Sequence, residues 1–85
     1  MKLIFCPHCH DIVKLDLNKR YCKCGKSFGF YKDNLYASIN STAIPIGISN
    51  KSLREAIDWR SNEGQGTKIE AFVIPKQCDT IEILK

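Results

Sequence analysis

Cys6-Pro7-His8-Cys9 and Cys22-Lys23-Cys24-Gly25, two cysteine pairs separated by twelve residues, decide how this chain folds. Thiolates this close in sequence turn both sulfurs onto one ion, and two facing pairs give the tetrahedron that Zn²⁺ accepts, with Zn–S bonds of about 2.3 Å. The arrangement points to one structural Zn²⁺ held by Cys6, Cys9, Cys22 and Cys24. Its gap is shorter, and its second pair tighter, than the spacing usual for four-cysteine zinc sites. His8 and His10 flank Cys9 and are the two histidines of the chain. Either replaces a sulfur in a three-sulfur, one-imidazole site or stands exposed on the knuckle.

Outward from the pairs, Lys2 to Phe5 reads as a short strand delivering Cys6, with Pro7 fixing φ near −65° in the first knuckle. Ile12, Val13, Leu15 and Leu17 largely alternate with Lys14 and Asp16, the period of a half-buried strand. Asn18 to Arg20 turns the chain back into the second knuckle. There Gly25 supplies the positive φ that lets backbone N–H groups face a sulfur. Ser27 to Lys32 is another strand. Two knuckles at the ends of short hairpins describe a zinc ribbon over residues 1–32.

Asp33-Asn34 marks a soft boundary to a sheet and helix extension over residues 33–85, the whole forming one zinc-stabilised domain. Leu35 to Ile39 is open between strand and short helix. Ile44, Ile46 and Ile48 alternate with Pro45, Gly47 and Ser49, an extended stretch whose proline suits an edge. Asn50 or Ser52 caps a helix of about ten residues, with Ser52 to Glu55 matching a capping box. Leu53, Ala56 and Ile57 form its inward stripe, and Lys51 with Glu55 and Arg54 with Asp58 its outer face. Ser61 to Thr67 is a polar loop, and Lys68 to Ile74 a strand whose Phe72-Val73-Ile74, apolar on both faces, suits a central position. Thr80 to Leu84 closes a small antiparallel sheet. The fold class expected is therefore small α+β, a zinc ribbon of short β-hairpins joined to a small antiparallel sheet with one helix.

A chain of 85 residues buries only about 60 to 65% of the surface its unfolded form exposes, so it needs a staple. Five cysteines, an odd number, argue for a metal and against a disulfide framework, in a reducing compartment. Met1 to Phe5 is too short for the apolar core of a signal peptide. No run approaches the roughly 18 apolar residues of a membrane span. A cytoplasmic protein without membrane attachment is expected.

The net charge of +4 is uneven. Seven Lys or Arg stand against two Asp in residues 1–32, and six against seven Asp or Glu in residues 33–85. Lys19, Arg20, Lys23, Lys26 and Lys32, interleaved with Tyr21, Phe28, Phe30 and Tyr31, could bind phosphates while stacking bases, or form a solvated face over a small core. Trp59, on the flank of the helix stripe, is either a core edge or an anchor for a protein partner. Cys78 is the leftover thiol, read as a small structural or solvent-exposed cysteine, with Lys76 as thin support for a nucleophile. Gly64-Gln65-Gly66-Thr67-Lys68 resembles a phosphate loop only superficially, because it runs into a strand.

The first 32 residues resemble the zinc-ribbon superfamily at Cys6, Cys9, Cys22, Cys24 and Gly25. The whole chain is similar to a group of small zinc-ribbon proteins of bacteria and phages with no assigned activity. The similar stretches are Cys6 to Asp11, Cys22 to Ser27, Ala43 to Gly47 and Ala71 to Lys76. The resemblance implies a metal-dependent fold and no particular chemistry. Four thiolates leave no open metal position, and the histidines are committed to the knuckle, so no enzyme is expected. The leading reading is a zinc-binding interaction module, an accessory or modulator of a larger protein assembly. The alternatives are a nucleic-acid-binding ribbon and a thiolate redox or rubredoxin-like iron protein, since thiolates alone also accept iron.

Overall fold

A computed structural model of the chain describes residues 1–84. It holds two four-stranded sheets and one helix: β1 (Lys2–Phe5), β2 (Ile12–Lys14), β3 (Arg20–Tyr21), β4 (Phe28–Tyr31), β5 (Ala37–Asn40), β6 (Ile44–Ile48), α1 (Asn50–Asp58), β7 (Ala71–Val73) and β8 (Ile81–Leu84). The sheet orders are β2-β1-β6-β7 and β3-β4-β5-β8. The two knuckles cap the antiparallel hairpins β1–β2 and β3–β4, one on each sheet. Leu3 pairs with Lys14 in the first hairpin and Arg20 with Gly29 in the second.

The alternation in residues 12–17 is realised as far as it is paired. Val13 and Leu15 are buried, Ile12 and Leu17 exposed, and the strand itself ends at Lys14. These residues join Ile4, Cys6, Cys22, Ala37, Ile39 and Ala43 in one core between the sheets. Tyr31 ties the sheets together. Its hydroxyl accepts the Lys2 N–H at 2.9 Å, and its own N–H donates to the Asp16 carbonyl at 2.7 Å.

Of the stretch left open at 35–39, residues from Ala37 onward form a strand, β5, and one of its pairings departs from the all-antiparallel expectation: β5 lies parallel to β8, with Ala37 opposite Ile81. Parallel neighbours need a crossover of a dozen residues or more, and residues 41–80 provide one. The expected edge and centre of the second half are also exchanged. β6 lies between β1 and β7, while β7 is an edge strand with every residue exposed. Pro45 is tolerated inside because it sits where the β6–β7 pairing runs out. Its carbonyl accepts the Ile74 N–H at 2.9 Å, so the missing N–H lies at the end of the ladder. Phe72 covers Gly47, whose absent side chain leaves room for the ring.

α1 is capped by Ser49, not by Asn50 or Ser52: the Ser49 hydroxyl accepts the Ser52 N–H at 3.2 Å. Ser52 is occupied elsewhere, its hydroxyl accepting the Glu70 N–H at 2.7 Å. The helix therefore leans on the polar segment before β7 rather than on a sheet face. Leu53 and Ala56 are half-buried, and Ile57 is exposed instead of facing inward. Trp59 closes the helix with its N–H on the Glu55 carbonyl, and its side chain is 82% exposed, which overturns the core-edge reading. Arg54 and Asp58 form an ion pair at 3.4 Å. No helix among the described residues is long and apolar enough to cross a membrane.

Candidate metal centre

Each knuckle begins where a strand ends and reverses through a tight turn. In the first, the Cys6 N–H donates to the Asp11 carbonyl at 3.0 Å and the His10 N–H to the Cys6 carbonyl at 2.7 Å. In the second, the Cys22 N–H donates to the Ser27 carbonyl at 2.9 Å and the Gly25 N–H to the Cys22 carbonyl at 3.0 Å. The residue after the second cysteine takes a positive φ in both, +62° at His10 and +80° at Gly25. Glycine meets this requirement without cost, and His10 meets it against the preference of an L-residue. The His10 ring stacks on Phe5 with centroids 5.6 Å apart.

The hairpins bring the Sγ atoms of Cys6, Cys9, Cys22 and Cys24 within 4.8 Å of one another. Cys6 and Cys24 sulfurs are 3.7 Å apart and Cys22 and Cys24 sulfurs 3.6 Å. Four sulfurs around a tetrahedral ion with bonds of about 2.3 Å stand about 3.8 Å apart, close to these two distances, so the cluster is of a size to coordinate such an ion. All five cysteines are free thiols. Neither His8 nor His10 belongs to the cluster.

The surroundings favour thiolates at Cys6 and Cys22. Burial pushes the Cys6 thiol up, but bonds from the Ser27 hydroxyl and the Cys9 and His8 N–H groups outweigh it and hold Cys6 at about 5. Burial likewise opposes ionisation of Cys22, and the Ser27 N–H, 3.3 Å from its sulfur, draws it down. The Lys26 N–H favours ionised Cys24, yet burial and the Cys22, Cys9 and Cys6 sulfurs prevail and push it up to about 11.

Sequence reasoning missed the supports of this site. Ser27 is fully buried, its hydroxyl 3.1 Å from Thr42 Oγ1, and Thr42 and Asn40 both donate to the Lys26 carbonyl, at 2.7 and 2.6 Å. Asp11 joins the knuckles by accepting the Lys23 N–H at 2.9 Å. A serine directly after a knuckle was a usable signal for Ser27, whereas Asp11, Asn40 and Thr42 carry none without the fold.

The basic residues are divided. Lys19, Arg20, Lys23 and Lys26 are exposed on the β3–β4 hairpin. The Lys19 ammonium lies 4.6 Å from the Phe28 ring centre, and the Arg20 guanidinium donates to the Lys14 carbonyl at 3.3 Å. Lys32 is drawn to Glu82 at 3.0 Å. Cys78 stands outside the cluster, its sulfur 3.3 Å from Thr80 Oγ1, a bond that lowers its pKa. Comparison with protein-family models, curated proteins and solved structures found no match to the chain.

Proposed function

We propose that this protein is a non-catalytic interaction module of zinc-ribbon type, stapled by one structural Zn²⁺ on Cys6, Cys9, Cys22 and Cys24. The convergence of four sulfurs at the tips of two hairpins from different sheets carries this reading. Zn²⁺ supplies bond energy and no open coordination position for a substrate, because four thiolates complete its tetrahedron. A structural zinc contributes an apparent 10 to 16 kcal/mol, roughly the whole stability of a small domain. Chelation is therefore expected to collapse the dispersed amide spectrum of both hairpins, and a chelated chain with an unchanged spectrum would sink the stapling role.

The action assigned to the module is docking on a protein, as an accessory of a larger assembly. Trp59 stands exposed at the end of α1, and Ile57, also exposed, lines with Leu53, Ala56 and Ile69 a groove of about 340 Å³ along the helix. Tryptophan is enriched at interface centres, where one buried ring carries a large share of the binding energy. Tagged wild type and Trp59→Ala, run side by side through affinity capture with nuclease present, test the surface. Loss of a stoichiometric protein with the variant supports it, and equal capture by a folded variant removes it.

One observation favours a second reading, single-stranded nucleic acid on the β3–β4 hairpin. Exposed Tyr21 packs against Phe28 with centroids 5.3 Å apart, and the Lys19 ammonium caps the Phe28 ring. Cations beside stacked aromatics suit bases and phosphates together. Binding that falls steeply with salt and with loss of Lys19, Arg20 and Lys23 supports it; salt-insensitive binding does not.

A further inference from the structure

We infer that Cys24 is the ligand through which the metal exchanges, while Cys6, Cys22 and Cys9 retain it. This rests on the zinc reading above and concerns how these four residues divide the work.

Each knuckle gives one buried cysteine and one more exposed one. Cys6 is 0% exposed and Cys22 5%, whereas Cys9 is half-buried and Cys24 is exposed. Cys6 and Cys22 belong to the hydrophobic core, and the Ser27 N–H holds the Cys22 sulfur from beneath. Moving either one opens the core. Cys9 packs against that core from its rim.

Cys24 lies outside that core, and the N–H it receives comes from Lys26 in its own exposed turn. It sits in a turn with exposed Lys23, Gly25 and Lys26 around it, and nothing stands within 4 Å of the place where a Gly25 side chain would begin. The Asp11 carboxylate holds the Lys23 N–H beside it, an exposed bond that water can replace. Exchange requires one sulfur to swing away while an incoming donor takes its place on the metal, the released thiolate taking a proton from solvent. At Cys24 that swing disturbs one turn. At Cys6 it disturbs the end of β1, and at Cys22 the floor of the site.

The test uses the zinc-loaded full chain and substoichiometric iodoacetamide, which caps a free thiolate by forming an S–C bond with loss of iodide. Peptide mass mapping over time reads the order of capping, with elemental analysis of zinc alongside. Cys24 is expected to react first of the four, at least about tenfold faster than Cys6 and Cys22, because local opening sets the rate. Cys24→Ser is expected to keep one zinc yet release it faster than wild type to a coloured chelator, while Cys22→Ser fails to hold it. Cys6, Cys9 or Cys22 reacting first overturns the assignment, as does Cys24→Ser releasing zinc no faster than wild type. The capping order in wild type decides even where a variant does not fold. A chain without zinc whose four cysteines react alike overturns the zinc reading itself, a result distinct from a wrong order on a loaded chain.

Discussion

Ser27 places its backbone N–H 3.3 Å from the Cys22 sulfur while its hydroxyl lies 3.1 Å from Thr42 Oγ1, so one buried residue joins the second knuckle to the turn after β5. The four-cysteine cluster is thereby anchored to both halves of the chain. Ser27→Ala keeps the N–H to the Cys22 sulfur and removes the hydroxyl, which both Thr42 and the Cys6 sulfur lose as a neighbour. A loss of about 1 to 2 kcal/mol is expected from the denaturant midpoint of the metal-loaded protein, with zinc content unchanged. Loss of zinc together with stability would show that the hydroxyl, and not the N–H, secures the knuckle.

The two positive φ positions should respond unequally. Gly25→Ala forces a side chain into the left-handed region at φ +80°, for a loss of about 1 to 2 kcal/mol in thermal melts. His10→Gly relieves the same strain at φ +62° but gives up the stack on Phe5, so a change under about 1 kcal/mol is expected. A large loss at His10 would mean that its ring does more than cover Phe5.

Two close-packed glycines separate rigid from yielding neighbours. A Cβ at Gly29 would meet Ile39 and Leu15 at 3.0 Å and the Ser38 carbonyl at 3.1 Å, all in the interior. A Cβ at Gly47 would meet the Phe72 ring at 2.5 Å, but that ring lies on an exposed edge strand and can swing outward. Gly29→Ala should cost about 2 to 3 kcal/mol and Gly47→Ala about 1 kcal/mol by chemical denaturation. Equal costs would indicate that Phe72 is fixed.

Asp33 should carry part of the acid sensitivity. Its Oδ1 accepts the Tyr36 and Leu35 N–H groups at 2.8 Å, and these bonds, with Lys2 and Lys32 adding to them against burial, hold its pKa below the usual value. A lowered folded pKa gives stability that is full above the unfolded carboxylate value, about 3.9, and is lost as pH falls through the folded one. Wild type should therefore exceed Asp33→Ala in stability near neutrality, and the gap should close at acid pH. A gap independent of pH in paired denaturation curves would contradict this.

The clustering of Cys6, Cys9, Cys22 and Cys24 was legible because its cause is local: two short cysteine spacings bring each pair together without knowledge of the fold. The hairpins followed, since Val13 and Leu15 alternate with exposed neighbours and the knuckles fix where the chain reverses. The second half misled for a physical reason. Phe72-Val73-Ile74 has the composition of a central strand, yet Phe72 and Val73 are exposed and only Ile74 is buried. Pro45 signalled an edge, but its missing N–H falls where the ladder has already ended. Helical periodicity placed α1 correctly, and could not reveal that the helix faces the polar segment before β7, leaving Trp59 in solvent.

X-ray absorption at the zinc edge of the purified chain tests the central claim most directly. Four sulfur scatterers at about 2.3 Å, with one zinc per chain, are expected. A shell containing nitrogen or oxygen, or a chain that carries no zinc, would contradict a structural site built from Cys6, Cys9, Cys22 and Cys24.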